Sequence, residues 1–223
     1  MATLKEGLEE IVRALKDNLD LLSSSGVHSI YSREASLEEL AEETALCKRC
    51  SLHAKRSGVF FGAGDYGARV AFVAGLHPPS GGGGGAGGDG GAGGPFEGEE
   101  GGLLRKIINA MDLKEEEVYV AYALKCAPEK ETGDLEEALS ECAPILRKEL
   151  KALSPDVVVA LGPLACRALL GDRDVKRIRG RFHDYHGMKV MPTYAPELLL
   201  EKEELKSDVW NDMKKVMAEL KKA

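Results

Sequence analysis

The alternation of apolar and polar positions begins with a helical stripe. Leu4, Leu8, Ile11, Val12, Leu15, Leu19 and Leu22 recur at helical spacing, with lysine and glutamate between them. That spacing predicts an amphipathic helix within residues 1–26, about five turns long. Ser23-Ser24-Ser25-Gly26 ends it, and residues 27–35 read as a linker. A helix with one apolar stripe, set off by a linker, reads as an appendage that docks a protein partner or self-associates. The main domain, 36–223, opens at Ser36-Leu37-Glu38-Glu39. This is a capping box, in which Ser36 and Glu39 satisfy each other's exposed amides. The helix it starts runs into Cys47.

Beyond Cys47 the pattern changes to short valine-rich apolar runs at wide spacing: Arg69 to Ala74, Val118 to Leu124, Val157 to Leu161, and Lys189 to Tyr194. Each is too short for a buried helix and is bounded by Gly, Pro or charge, so each reads as a strand. Helical patterns separate them over Leu103 to Met111, Leu135 to Leu150, Leu164 to Leu170, and Lys206 to Leu220. Alternating strands and helices predict an α/β fold: a three-layer sandwich around a mostly parallel four-stranded sheet, covered on both faces. In such sheets a ligand sits beyond the carboxyl ends of the strands. The segments of interest are therefore Gly75 to Ser80, Lys125 to Pro128, Gly162-Pro163, and Ala195-Pro196-Glu197. Between the first strand and its helix lies a glycine-rich loop at 80–94. It resists a packed core because glycine loses the most conformational entropy on ordering. It carries no Gly-Lys-Ser/Thr, so it is not a nucleotide-binding P-loop.

Composition narrows the class. Of 223 residues, 43% are hydrophobic and 30% charged, which excludes a disordered polyampholyte. No apolar run approaches the roughly 18–20 residues of a membrane span, and no secretory signal is visible at the start, so the expected location is cytoplasmic. A net charge of −7 argues against wholesale wrapping of nucleic acid but leaves room for a local basic face. Five cysteines in a reducing compartment do not suggest a disulfide framework. Cys47 and Cys50 form a C-x-x-C, and Cys126 and Cys142 lie 16 residues apart. A close pair plus two distant cysteines can close a four-thiolate site. Structural zinc uses the same ligands, although two close pairs are its more usual arrangement. Cys166, in an apolar helix, reads as a small buried hydrophobe.

Further stretches carry a resemblance. They are Pro95-Phe96-Glu97-Gly98-Glu99-Glu100-Gly101-Gly102-Leu103-Leu104, Val118-Tyr119 leading to Leu124-Lys125-Cys126-Ala127-Pro128, Pro155-Asp156 followed by Val157 to Gly162, Ile178-Arg179-Gly180-Arg181-Phe182-His183-Asp184-Tyr185, and Val190 to Tyr194. With the cysteine frame, and in this order, they resemble the family 4 uracil-DNA glycosylases, the iron–sulfur branch of that superfamily. The resemblance implies a uracil-DNA glycosylase-like fold, DNA as partner, and a mainly structural [4Fe–4S] cluster on Cys47, Cys50, Cys126 and Cys142, with zinc as the alternative. It places Phe96 against a flipped base, with Gly75, Leu76, Pro78, Tyr122 and Ala195 around the base pocket. It also sets Arg177, Arg179 and Arg181 in a loop beside DNA, where they are candidate phosphate contacts.

At three positions the chain departs from the family pattern. An acid in a G-E-x-P-G motif is replaced by Leu76 in Gly75-Leu76-His77-Pro78-Pro79. A base-reading asparagine falls at Tyr122, and an H-P-S histidine falls at Ala195. Losing one charge-stabilising donor typically costs about 10²–10³ in rate. The expectation is therefore weak or absent uracil cleavage, or else a catalytically silent iron–sulfur protein that binds DNA or nucleotide. His77 and Glu197 are the candidate replacements, as general acid and as water-positioning group. The same residues have plainer readings, as a surface loop histidine and as an acid suited to a helix start.

Overall fold

The computed structural model describes residues 37–76, 94–128 and 135–222. The N-terminal helix and linker, Ser36 of the capping box, His77, Pro78 and the glycine tract through residue 93 lie outside the described residues. A first helix, α1, covers 37–45. Strands β1 (Arg56–Val59) and β2 (Gly62–Gly64) follow, and then β3 (Val70–Ala74), α2 (Gly98–Ala110), β4 (Val118–Tyr122), β5 (Cys126–Pro128) and α3 (Leu135–Leu153). The chain continues through β6 (Val157–Leu161), α4 (Gly162–Leu170), α5 (Val175–Ile178), β7 (His183–Tyr185), β8 (Met188–Thr193), α6 (Pro196–Glu201) and α7 (Lys206–Leu220).

The sheet is built on the valine runs. Its strand order is β2-β4-β3-β6-β8-β7, with β4, β3, β6 and β8 parallel. The four-stranded parallel core expected from the sequence is present, and it is extended by an antiparallel strand at each edge, β2 on β4 and β7 on β8. All five residues of β4 and all five of β6 are buried, as expected of strands covered on both faces. Helix α4 packs on β3, β6 and β8, and α7 on β6 and β8. A separate antiparallel pair joins β1 to β5 and sets Val59 opposite Cys126. Among the described residues no helix is long and apolar enough to cross a membrane.

From β3 the chain crosses to its neighbour β4, and from β6 it crosses the other way to β8. The order therefore reverses between β3 and β6, which is where a crevice opens in such sheets. Two close approaches shape it. A Cβ on Gly75 would stand 2.9 Å from Cβ of Leu164, so only glycine lets the start of α4 lie against the end of β3. Gly162 has φ +80° and abuts Ala195, whose Cβ a side chain at 162 would meet at 2.8 Å.

Candidate base pocket and cysteine frame

At the carboxyl ends of the parallel strands the fold brings together residues from three separate motifs. Ala74 and Tyr122 are register partners at the ends of β3 and β4, and Leu76, Leu161, Pro196 and Glu197 complete one side of a cavity. Its described walls enclose about 30 Å³, room for a water or two, where an ordinary ligand cleft holds ~300 Å³ or more. Leu76 and Gly94, the residues flanking the undescribed 77–93, both line it.

Tyr122 is 4% exposed, and the Phe60 ring meets it edge-on at 6.4 Å. Burial, and then the nearby Glu197 charge, push its phenol far above the ordinary range. Tyr122 is therefore a neutral, packed side chain. Three carboxylates line the cavity, Glu97, Glu100 and Glu197. Partial burial and then the charge of Glu197 push the Glu100 carboxyl up. Glu197 stands in the first turn of α6, as the plainer reading of that residue has it, and it also lines the cavity. Phe96 packs against the core beneath Arg105, whose guanidinium carbon is 5.7 Å from the ring centre. Gly101 permits that turn, because a Cβ there would stand 2.4 Å from the Phe96 carbonyl carbon.

The cysteine frame lies next to this site along the chain. Cys50 precedes a 3-10 turn at Ser51–Ala54, Cys126 lies on β5, and Cys142 lies inside α3. Cys50, Cys126 and Cys142 are buried and Cys47 is half-buried. Cys50 is within electrostatic reach of Cys126 and Cys47, as Cys142 is of Cys126 and Cys50. Burial pushes the Cys50 thiol up, and that of Cys142 up to about 11. Among the described residues, no three His, Cys, Asp or Glu side chains close around a single ion. A tetrahedral zinc holds its sulfurs about 2.3 Å from one centre. Four thiolates serve a [4Fe–4S] cluster as well as a zinc ion. Cys166 is fully buried and stands apart, its thiol directed at the Ala160 carbonyl (3.9 Å).

Two features of the frame are missed by sequence reasoning. The first is Arg56, whose guanidinium donates to the carbonyls of Cys47 (3.0 Å) and Ala45 (2.9 Å) and to Sγ of Cys126 (3.5 Å). It ties the C-x-x-C loop to β5 and directs a positive charge at a candidate ligand sulfur, the kind of outer contact that orients metal ligands. The second is a buried ion pair beside Cys126. The Lys125 ammonium donates to Glu149 and to the Phe61 carbonyl (2.7 Å), and the Tyr119 hydroxyl donates to the other Glu149 oxygen (2.9 Å). Burial pushes the Glu149 carboxyl up more than Lys125 and Tyr119 pull it down. Neither feature carries a motif, because Arg56 reaches 9, 11 and 70 positions along the chain and Lys125 and Glu149 stand 24 apart.

The basic loop divides in the structure. Arg179 is mostly buried, pairs with Asp212 (2.9 Å) and Asp208 (3.3 Å), and lies over the Tyr194 ring at 5.2 Å. Its charge is taken up internally. Arg177 is exposed and paired with Asp172, and Arg181 is exposed.

Comparison with known proteins places these features in a family. A family model described as "Uracil DNA glycosylase superfamily" matches residues 61–214. A type-4 uracil-DNA glycosylase of Thermotoga maritima is 31% identical over 198 residues, covering 86% of this chain and 99% of that one. Another, of Archaeoglobus fulgidus, is 28% identical over 81% of this chain and 92% of its own. A third, of Saccharolobus solfataricus, is 26% identical over 81% and 84%.

Proposed function

The chain belongs to the uracil DNA glycosylase superfamily, in its type-4 group, and from that premise we propose a DNA-repair protein whose release of uracil is weak or absent. Its relatives are named for releasing uracil from DNA. That hydrolysis adds water across the bond between the sugar C1′ and the base nitrogen, and the base departs as an anion that takes up a proton. It requires a nucleotide extruded from the stack, a group that stabilises charge on the base, and a water beside the sugar. Tyr122 carries the proposal. A buried phenol stands where an amide would read the uracil edge, and the described pocket around it is small. Leu76 and Ala195 supply neither an acid nor an imidazole. Glu197 is the candidate carboxylate to hold a water, and His77 is the candidate acid.

In this reading Cys47, Cys50, Cys126 and Cys142 hold a [4Fe–4S] cluster, and Arg56 steadies the loop that carries the first two. The cluster supplies structural bracing and not bond cleavage. Arg177 and Arg181 meet phosphates, and Arg179 shapes the loop between them. Residues 1–26 form a separable appendage whose removal leaves folding cooperative.

A second reading, a silent DNA- or nucleotide-binding protein, is favoured by the same tightly filled pocket. One experiment decides between them. Wild type, His77→Ala and Glu197→Gln are assayed for base release on duplexes carrying uracil, hypoxanthine, xanthine or an alkylated base, with binding measured in parallel. The expected result is DNA binding with little or no uracil release. Restoration of measurable uracil cleavage is expected for the combined Leu76→Glu, Tyr122→Asn, Ala195→His variant. Robust uracil excision by the wild type would overturn the proposal. Release of another base that disappears in His77→Ala or Glu197→Gln identifies a rebuilt site, and binding without release of any base establishes the silent protein.

A further inference from the structure

A second cavity lies at the opposite end of the sheet from the base pocket. It is bordered by the carboxyl end of α3 and by the β7–β8 hairpin, next to the strand starts at Val157 and Met188 and not the strand ends. Its volume is about 640 Å³, within the size of ordinary small-molecule clefts. Arg147, Lys148 and Lys151 approach it from the helix and His186 from the hairpin, with no carboxylate in its wall.

That charge is unusual for this molecule. The chain carries 37 acids against 30 lysines and arginines. Elsewhere its cations are widely paired: Arg69 with Asp156, Arg105 with Glu115, Arg167 and Arg173 with Glu136, Lys189 with Glu219. Among the described residues no ion pair joins Arg147, Lys151 or His186 to a carboxylate, and Lys148 reaches Glu43 only at 4.0 Å. Of the neighbouring acids, Asp156 pairs with Arg69 (2.6 Å) and Asp184 accepts from the Gly187 amide (3.2 Å).

Lysines near a helix carboxyl end suit its dipole. That accounts for Lys151, but not for a histidine facing it from another element across a cavity. Arg147 and Lys151 stand four residues apart on one helix face, where like charges repel unless an anion bridges them. The rim is held in shape. His186 has φ 52°, at a turn position where Asn or Gly is the usual residue, and its ring rests edge-on against Tyr185 at 4.7 Å. Ser154 has φ 49°, with its hydroxyl on the Lys151 carbonyl (2.7 Å). Two of the three non-glycine residues with positive φ among those described therefore border this one groove.

We propose that the groove binds a compact, multiply charged phosphate group, such as the di- or triphosphate of a nucleotide. A guanidinium and two ammonium groups converging on one cavity match several phosphoryl oxygens close together. An extended strand spaces its phosphates along a track and calls for a stripe of cations instead.

The test is calorimetric titration of the full chain with inorganic tripolyphosphate at low and physiological salt. Saturable binding of one anion per chain is expected. In Arg147→Ala/Lys151→Ala it should weaken by about tenfold or more, and in His186→Ala by about threefold. Lys214→Ala, a lysine elsewhere on the surface, should bind as wild type. Thermal melts of each variant confirm that it is folded. Competition separates the sources of phosphate: displacement by nucleoside triphosphates but not by a single-stranded oligonucleotide at equal phosphate concentration supports the proposal. Displacement by the oligonucleotide alone, no saturation, or unchanged binding in a folded double variant would overturn it. The base pocket plays no part in this titration, so its outcome is independent of whether any base is released.

Discussion

Tyr122 of the base pocket and Cys126 of the cysteine frame lie four residues apart, and in the proposed reading the two regions depart from the family pattern to opposite degrees. All four cysteines are in place, three of them buried, with Arg56 bonded to one sulfur and two nearby carbonyls. In the proposed reading Leu76, Tyr122 and Ala195 stand where the resemblance puts the chemistry, and Tyr122 is packed against Phe60. The requirements that maintain the scaffold and those that maintain the reaction are separable, and family membership reports the first more directly than the second.

The largest effect should come from the frame itself. Cys142→Ser should bleach the broad absorbance near about 400 nm and abolish cooperative unfolding, whereas Cys166→Ser should leave the colour intact. A colourless wild type holding one zinc would break the comparison at its stronger side. Next in size is the buried ion pair. Lys125→Met should destabilise the fold by about 3–5 kcal/mol in denaturant titrations, because it strands Glu149, and Lys125→Met/Glu149→Leu should recover most of that loss. Arg56→Leu should load the cluster but lose it faster under a chelator, and Arg56→Lys should fall between the two. In the pocket, Tyr122→Asn should cost about 2–4 kcal/mol by removing a buried ring. A neutral effect there would mean the pocket tolerates opening, which would bring the two regions closer in character.

The smallest effect concerns Glu100. Its folded pKa lies above its unfolded one, so ionisation opposes folding. The penalty is absent below the unfolded value and fully present above the folded one. Glu100→Gln should therefore raise the melting temperature slightly at neutral pH and not at acid pH. The effect should be under about 1 kcal/mol, because the group is only partly buried and solvent screens it.

The parallel core was legible in the sequence because strands covered on both faces must be apolar throughout, and the runs at 70, 118, 157 and 189 are. The short strands were not. Gly62–Gly64 is Gly-Ala-Gly, which has no alternation to read, and it is a strand only because β4 offers it hydrogen bonds. The resemblance and the motif departures single out Leu76, Tyr122 and Glu197 in separate segments, and the fold gathers these three around one cavity. What Tyr122 packs against was not legible, since Phe60 comes from a loop 62 positions earlier. Arg179 shows the same limit. In sequence it is one of a basic cluster, and its acid partners Asp208 and Asp212 become visible only when α7 folds back beside it.

The stretch joining Tyr122 to Cys126 is fixed at each step: the Ala123 amide donates to the Ala74 carbonyl (2.8 Å), that of Leu124 to Gly75 (3.0 Å), and the Phe60 amide to the Lys125 carbonyl (2.7 Å). For a protein engineer this turns the pocket floor into a fixed chassis. Side chains facing the cavity can be exchanged, but its backbone cannot be redrawn without moving Cys126, a proposed cluster ligand. New base specificities are therefore better sought on the walls that enter from α2 and α6 than on the strand beneath them.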